Sequence, residues 1–298
     1  MVTRTRSVAA LALVFLLAAC GSGGGGQAKV EASPAGIGNA IDASLAKGKA
    51  HVTVTAALKL GDKDASFGGS GDVDFDNGAA ALTVDLSGAA TALGGTVPGM
   101  LAEALVKPVD VIVSNGAIYV KVPALAKIAS GGGDKEWVKI GVDGDSPAAS
   151  ALSSLTAGLG TDGNALLEAL KNATSVDDVG TETIDGVQTT HMHGSVALGD
   201  AIKPVTDALG SSLGSDVPDL SASVPFDVWV DGSGLIHKVV IEVGSDGWSS
   251  LGPTMAPTGS ITIELSDYGT SADVKTPADS DTADVTKLLG LVGSLFSS

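Results

Sequence analysis

The sequence predicts an α+β fold: a long, curved antiparallel sheet with helices packed on its concave face. Three observations predict it. Runs with strict apolar–polar alternation follow one another along most of the chain. Tight-turn dipeptides join neighbouring runs: Asp76-Asn77-Gly78, Asn115-Gly116, Asp185-Gly186 and Asp231-Gly232. Stretches with helical apolar spacing interrupt the runs in the middle of the chain. Neighbouring strands joined by tight turns pair antiparallel. A sheet with one apolar face needs a cover for that face, and the inserted helices supply one.

The elements follow in chain order. Pro34 to Lys47 reads as a helix, with Pro34 in its first turn and Ile37, Ile41 and Leu45 on one face. In the next run Val52, Val54, Ala56, Leu58 and Leu60 point one way, and Thr53, Thr55 and Lys59 the other. Phe67, Gly69, Gly71, Val73 and Phe75 give the matching face of a second strand, and Leu82, Val84 and Leu86 that of a third. Pro98 to Leu105 reads as a short helix. Val109–Ser114 and Ala117–Val122 form a hairpin carrying Val111, Val113, Ile118 and Val120, and Trp137–Ile140 is a short strand. Two helices are expected between Ser146 and Lys171, with Leu152, Leu155 and Leu159, then Leu166, Leu167 and Leu170, as apolar stripes. Val176–Ile184 and Val187–Leu198 are strands, and Asp200–Leu209 a helix. Pro225–Val230, Leu235–Val243 and Thr258–Tyr268 are three further strands. Val285 to Phe296 is an amphipathic stretch.

The N-terminus carries an address. Arg4 and Arg6 precede the apolar run Val8–Leu17, and Leu17-Ala18-Ala19-Cys20 closes it. A basic start, about ten apolar residues and small residues at the cut describe a secretory signal peptide. The run is too short for a bilayer, which takes about twenty apolar residues. Cys20 is the single cysteine, so no intramolecular disulfide can form. The sequence after it, Gly21-Ser22-Gly23-Gly24-Gly25-Gly26, reads as a spacer, because it lacks the Gly-Lys-Ser/Thr ending of a phosphate-binding loop. Glycine-rich chain from Cys20 to Pro34 spans about 20 Å r.m.s..

Composition narrows the function. The formal charge of −17 repels nucleic acid, and aromatic residues at 3% leave little for base stacking. Glycine, at 41 of 298 residues, is about twice its usual share, and aromatics are 3% while the mean hydropathy is positive, so the interior must be built from Ala, Val, Leu and Ile. Such side chains line a wide smooth surface and fill a cavity poorly.

Chemistry-bearing patterns are weak. Asp72, Asp74 and Asp76 imitate the start of a calcium loop, but the glycine and carboxylate of a full loop fall on Asn77 and Thr83. A solvated strand face and turn is the better reading. His191 and His193 share a strand face without an identifiable third ligand, which favours an exposed polar face over a metal site. Neither Gly68-Gly69-Ser70-Gly71 nor Gly232-Ser233-Gly234 is a nucleophile elbow. No cofactor is implied, and nothing points to an enzyme.

Several segments together resemble the actinobacterial LppX/LprG-type lipoproteins. They are the lipobox ending in Cys20, the run Asn115-Gly116-Ala117-Ile118-Tyr119-Val120-Lys121-Val122, Trp137-Val138-Lys139-Ile140, the run Val179 to His191, and Pro225 to Ile236. The resemblance implies a U-shaped half-barrel with helices over its concave face. It implies a diacylglyceryl group on Cys20, an anchor in the cell membrane on its extracytoplasmic face, and carriage of long-chain lipid or acylated glycolipid in an apolar cavity. An envelope transporter is a possible partner. The expected organisation is a signal peptide at 1–19, a lipidated cysteine and linker at 20–33, a lipid-binding domain at 34–277 and a C-terminal amphipathic extension at 278–298. Cavity-wall candidates are Val54, Leu58, Phe67, Val73, Phe75, Leu82, Val84, Val111, Val113, Ile118 and Val120, with Leu152, Leu155, Leu166 and Leu170 from the helical lid. Two rivals remain. One is an anchored, non-enzymatic scaffold that binds another envelope protein with the same fold and a collapsed core. The other is a solute-binding lipoprotein, a class with two parallel-sheet lobes that the consecutive hairpins disfavour.

Overall fold

The structure is a computed structural model that describes residues 29–88, 91, 107–141, 165–197, 223–244, 257–270 and 273–284. Helix α1 (Pro34–Leu45) precedes three strands, β1 (Lys49–Leu60), β2 (Lys63–Asp74) and β3 (Ala79–Asp85). Strands β4 (Val109–Ser114) and β5 (Ala117–Lys121) follow, then helix α2 (Pro123–Ala129) and β6 (Trp137–Gly141). Helix α3 (Ala165–Leu170) leads into β7 (Ala173–Ile184), β8 (Val187–Ala197), β9 (Ser223–Asp231), β10 (Ile236–Val243) and β11 (Pro257–Ser266). A 3-10 turn at Asp279–Asp281 ends in β12 (Thr282–Asp284).

All twelve strands form one sheet in the order β12-β6-β5-β4-β3-β2-β1-β11-β10-β9-β8-β7. The sheet is curved and unclosed, with β12 and β7 as its edges. Each of the four turn signals closes an antiparallel hairpin inside it. The turn chemistry is local: Asn115-Gly116 and Asp185-Gly186 all take positive φ, between 48° and 82°. That is the backbone of the two-residue turns whose twist matches antiparallel strands. At Asp76-Asn77-Gly78 the buried Asp74 carboxylate accepts from the Asn77 backbone at 3.0 Å and its side-chain amide at 2.9 Å.

Two elements differ from the sequence reading. Residues 123–129 are a helix that the sequence reading did not contain. Thr282–Asp284, within the stretch expected to be an amphipathic extension, joins the sheet instead, and it pairs with β6 in parallel. One pair at the edge therefore departs from an all-antiparallel sheet. The readings for residues 98–105, 200–209 and 285–296 lie outside the described residues.

Register puts the apolar residues on one face. Val109, Val84, Gly69, Val54, Ile263, Val239, Val228 and Met192 are successive cross-strand partners from β4 to β8. Glycine on this face permits the bend. A Cβ at Gly71 would lie 2.0 Å from the Ala81 carbonyl oxygen of β3, so only glycine lets the two strands approach so closely there. Gly259, at φ +139°, meets the Ala57 carbonyl of β1 in the same way.

Helix α1 begins at Ser33, whose hydroxyl accepts from the Gly36 N–H at 3.0 Å. Its Ile37, Ala40 and Ile41 are fully buried and share the main core with Phe226, Val228, Val230 and Met192 and with Leu167 and Leu170 of α3. One polar contact fixes the helix to the sheet at Ile236, and a second, outside the helix, holds the same residue. The buried Ser44 hydroxyl accepts from the Ile236 N–H at 3.0 Å, and the Tyr268 hydroxyl donates to the Ile236 carbonyl. Burial pushes the Tyr268 phenol above its ordinary pKa, so it stays a donor.

Candidate functional site

The apolar face is closed differently along its length. Under α1 and α3 the side chains of β8, β9 and β10 are buried: Met192, Val196, Phe226, Val228, Val230, Ile236 and Val239 all show 0% exposure. At the other edge α2 lays Ala126 over Val138 of β6 and Ala283 of β12, forming a second, small core. Between these covers lies a strip on β1 to β5. Leu58, Phe67, Val84, Val111, Val113, Ile118 and Val120 are half-buried there and belong to neither core. On this face of β1, β3, β4 and β5, and of β2 from Ala65 to Val73, every position between strand ends is Ala, Gly, Val, Leu, Ile or Phe. Strands lie about 4.8 Å apart, so the five-stranded strip is about 19 Å across.

The structure therefore divides the sequence-predicted wall. All eleven strand candidates share the apolar face or, for Phe75, continue it past the end of β2. Val73 is buried in the main core, and Val54, Phe75 and Leu82 pack against it. The other seven form the strip. Leu170 is fully buried beside α1, in the closed half. Leu166 lies on α3. Leu152, Leu155 and Cys20 lie outside the described residues. Ile140, half-buried beside Ile118 and packed on the α2 core, shares this apolar face. Its alternation with Val138 was the signal that could have named it.

An open pocket of about 300 Å³ lies elsewhere, at the start of α1 against the β9–β10 hairpin. Val30, Glu31, Ser33, Gly36, Asn39 and Gly234 are among its lining residues. It is separate from the strip.

On the opposite face a group of polar side chains from β7, β8 and β9 is paired. His191 stacks on Trp229 with centroids 4.2 Å apart. Its Nδ1 lies 2.8 Å from Glu182 Oε1, and its Nε2 2.8 Å from Asp227 Oδ1. His193 Nδ1 approaches the same Asp227 oxygen at 3.1 Å, and the Trp229 indole N–H donates to Glu182 at 2.9 Å. The indole and His191 hold the Glu182 carboxyl below its ordinary pKa. His191 is thus a half-buried member of a cross-strand network rather than part of a simple exposed face. The three aspartates of the acidic run do not converge: Asp72 faces His51 at 3.1 Å, Asp74 is buried in its turn, and Asp76 is exposed. Among the described residues no group of three His, Cys, Asp or Glu side chains could hold a metal, and no helix is long and apolar enough to cross a membrane.

No protein-family model and no curated protein matches the chain. Solved structures do. LprF from Mycobacterium bovis is 18% identical, with a TM-score of 0.47, over 83% of this chain and 99% of that one. The lipoprotein LppX from Mycobacterium tuberculosis is 19% identical, with a TM-score of 0.44, over 82% and 100%. A LolA superfamily protein from Nitrosomonas europaea is 10% identical, with a TM-score of 0.26, over 84% and 96%.

Proposed function

We propose that this chain is a membrane-anchored lipoprotein of the cell envelope that carries a long-chain lipid or acylated glycolipid on the apolar face of its sheet. In this reading the diacylglyceryl group on Cys20 holds it at the extracytoplasmic face of the cell membrane, and an envelope transporter is a partner. One observation carries the proposal: the half-buried strip of aliphatic side chains across β1 to β5, uninterrupted by polar groups.

Aliphatic surface of this kind recognises length of hydrocarbon and little else. Each methylene removed from water contributes about 0.8 kcal/mol, so ten reach about 8 kcal/mol before the costs of binding. Any headgroup would be left at the rim of the strip, where it can stay hydrated. The acidic surface keeps such a carrier soluble around an apolar interior. Two buried chains suffice for stable anchoring, which a diacylglyceryl cysteine supplies.

The test is organic extraction of the purified protein followed by mass spectrometry, with binding of a fluorescent fatty-acyl probe to the delipidated protein. Co-purifying long-chain lipid and saturable probe binding are expected. A protein that yields no lipid and takes up no probe would sink the carrier reading in favour of the scaffold. Replacing Cys20 with Ala should move the protein from the membrane to the soluble or secreted fraction, and continued membrane fractionation would remove the anchor.

A further inference from the structure

We infer that the ligand of the aliphatic strip is a lipid with an anionic headgroup, carboxylate or phosphate, held at Lys63 with its hydrocarbon lying along β2. The inference rests on the carrier reading and adds to it the charge and the direction of the ligand.

Three observations lead to it. The first is a single exception on an apolar face. Lys63 is the cross-strand partner of Leu60 and continues the β2 row of Ala65, Phe67, Gly69, Gly71 and Val73. Among the described residues it is the one charged residue that register places on this face of β1 to β5. The same alternation puts the other charged residues of these strands on the opposite face, among them Lys59, Asp64, Asp72, Asp110 and Lys121. A lysine at the end of an apolar row can lay its methylene stem along that row and keep its ammonium at the rim. Such an ammonium meets a headgroup where the hydrocarbon ends.

The second observation is the path. Gly69 lies between Val54 of β1 and Val84 of β3, and Gly71 between Val52 and Leu82. Two positions without side chains, flanked on both sides by branched aliphatic ones, leave a furrow along β2. It leads to Phe67, Ala65 and Lys63. From Ala65 to Val73 the row rises about 27 Å, which accommodates an extended long acyl chain.

The third is the charge at the two ends. Lys107, two residues before Val109, stands at the same end of the strip as Lys63 and is exposed. The carboxylates of the neighbouring strand ends are turned elsewhere. Asp64 faces Lys59 at 3.8 Å on the opposite face, and Asp85 accepts from the Ser87 N–H at 2.9 Å. Asp62 sits in the exposed β1–β2 turn. At the far end the row passes Phe75 and meets the exposed Asp76, beside the buried Asp74. Lys49, at that end, lies on the opposite face and is bonded to Asp273. An anion is favoured at the Lys63 end and repelled at the Asp76 end. That difference fixes which way an amphiphile lies.

Competition for the fluorescent acyl probe on the delipidated full chain tests the charge. Hexadecanoic acid, hexadecyl phosphate and methyl hexadecanoate present the same kind of apolar chain with and without a negative head. At neutral pH and low salt at least one of the two anions should bind about fivefold more tightly than the ester, and high salt should shrink the preference. The anion with the larger preference names the headgroup. Lys63→Gln should abolish the preference and leave ester affinity unchanged, and Lys63→Arg should retain it. Ester binding equal to that of both anions, or a preference that survives in Lys63→Gln, would overturn the assignment. Direction is read with hexadecanoic acid carrying a diazirine on its terminal carbon. Adducts are expected around Gly71 and Leu82, and adducts mainly at Leu58 and Ala65 would overturn the orientation. The two readings fail separately. If ester and anions bind alike, the carrier stands and Lys63 loses its role; if none of them binds, the carrier reading falls and this assignment with it.

Discussion

The two halves of the apolar face are made of the same residue types and are not in the same state. Between β8 and β10, Phe226, Val228, Met192 and Val239 are fully buried beneath α1 and α3. Between β1 and β5, Leu58, Phe67, Val84 and Val120 are half-buried. Register joins the halves in continuous rows through Val54 and Ile263. The difference teaches that alternation builds a surface and does not say whether that surface is core or site. One half is spent on holding the fold. The other is only half-buried.

That contrast can be broken most forcefully with a matched pair. Phe226→Ala removes a fully buried ring from the closed half and should cost about 3–5 kcal/mol of unfolding free energy. Phe67→Ala, in the open half, should cost well under half as much while weakening acyl-probe binding. Denaturant unfolding of the two variants measures the first effect, and probe titration the second. Equal losses of stability would erase the distinction between the halves.

The bend that shapes the open half gives the next effect. Gly71→Val would force a side chain against the Ala81 carbonyl, where even a Cβ lies at 2.0 Å. The strands must separate, and a stability loss of about 1–3 kcal/mol or more is expected from the overpacking. A wild-type melting temperature for this variant would show that the close approach of β2 and β3 does not matter.

A second matched pair sharpens the boundary. Val73 and Val120 lie on the same face, but Val73 is buried in the main core and Val120 is in the strip. Val73→Trp should lower stability by about 1–3 kcal/mol. Val120→Trp should leave stability nearly unchanged and reduce probe binding. Thermal melts beside probe titrations decide it, and a large stability loss at Val120 with unchanged binding would favour the scaffold.

The smallest effect is electrostatic and belongs to the closed half. Burial works against ionisation of Asp231. Its carboxyl is nevertheless held below the ordinary value by His237 at 3.0 Å and by the Leu235 and Ser233 N–H groups. A depressed folded pKa contributes stability that is present above the unfolded value of about 3.9 and lost as pH falls through the folded one. Asp231→Asn should therefore flatten the acid limb of the stability curve below about pH 4, and lower stability at neutral pH by about 1 kcal/mol. An acid limb identical to that of the parent would show that the β9–β10 hairpin does not depend on this carboxylate.

Much of the sheet was legible because its causes are local. Asn115-Gly116 and Asp185-Gly186 specify their turns within two residues, and a period-two pattern as in Val52, Val54 and Ala56 identifies a face wherever the strand lies. α2 was legible in principle, since Pro123 opens it and Leu125, Ala126 and Ala129 share a side, but seven residues give little period to read. Thr282–Asp284 had no readable signal. Three residues show no alternation, and their partner β6 lies far away in the chain. The polar network around His191 was half legible. The sequence put His191 and His193 on one face, while Glu182, Asp227 and Trp229 reach them only through strand pairing.

The sequence by itself determined that the chain makes consecutive hairpins and that one face of them is aliphatic. These follow from backbone turn preferences and side-chain alternation, which act over a few residues. Only the tertiary structure decided which part of the aliphatic face is core. That depends on where α1, α2 and α3 land, and their positions are set by contacts between residues distant in the chain, such as Ser44 with Ile236. Val73 and Val120 are indistinguishable as letters in an alternating run. Val73 is buried in the main core and Val120 is half-buried in the strip, a difference that only tertiary packing sets.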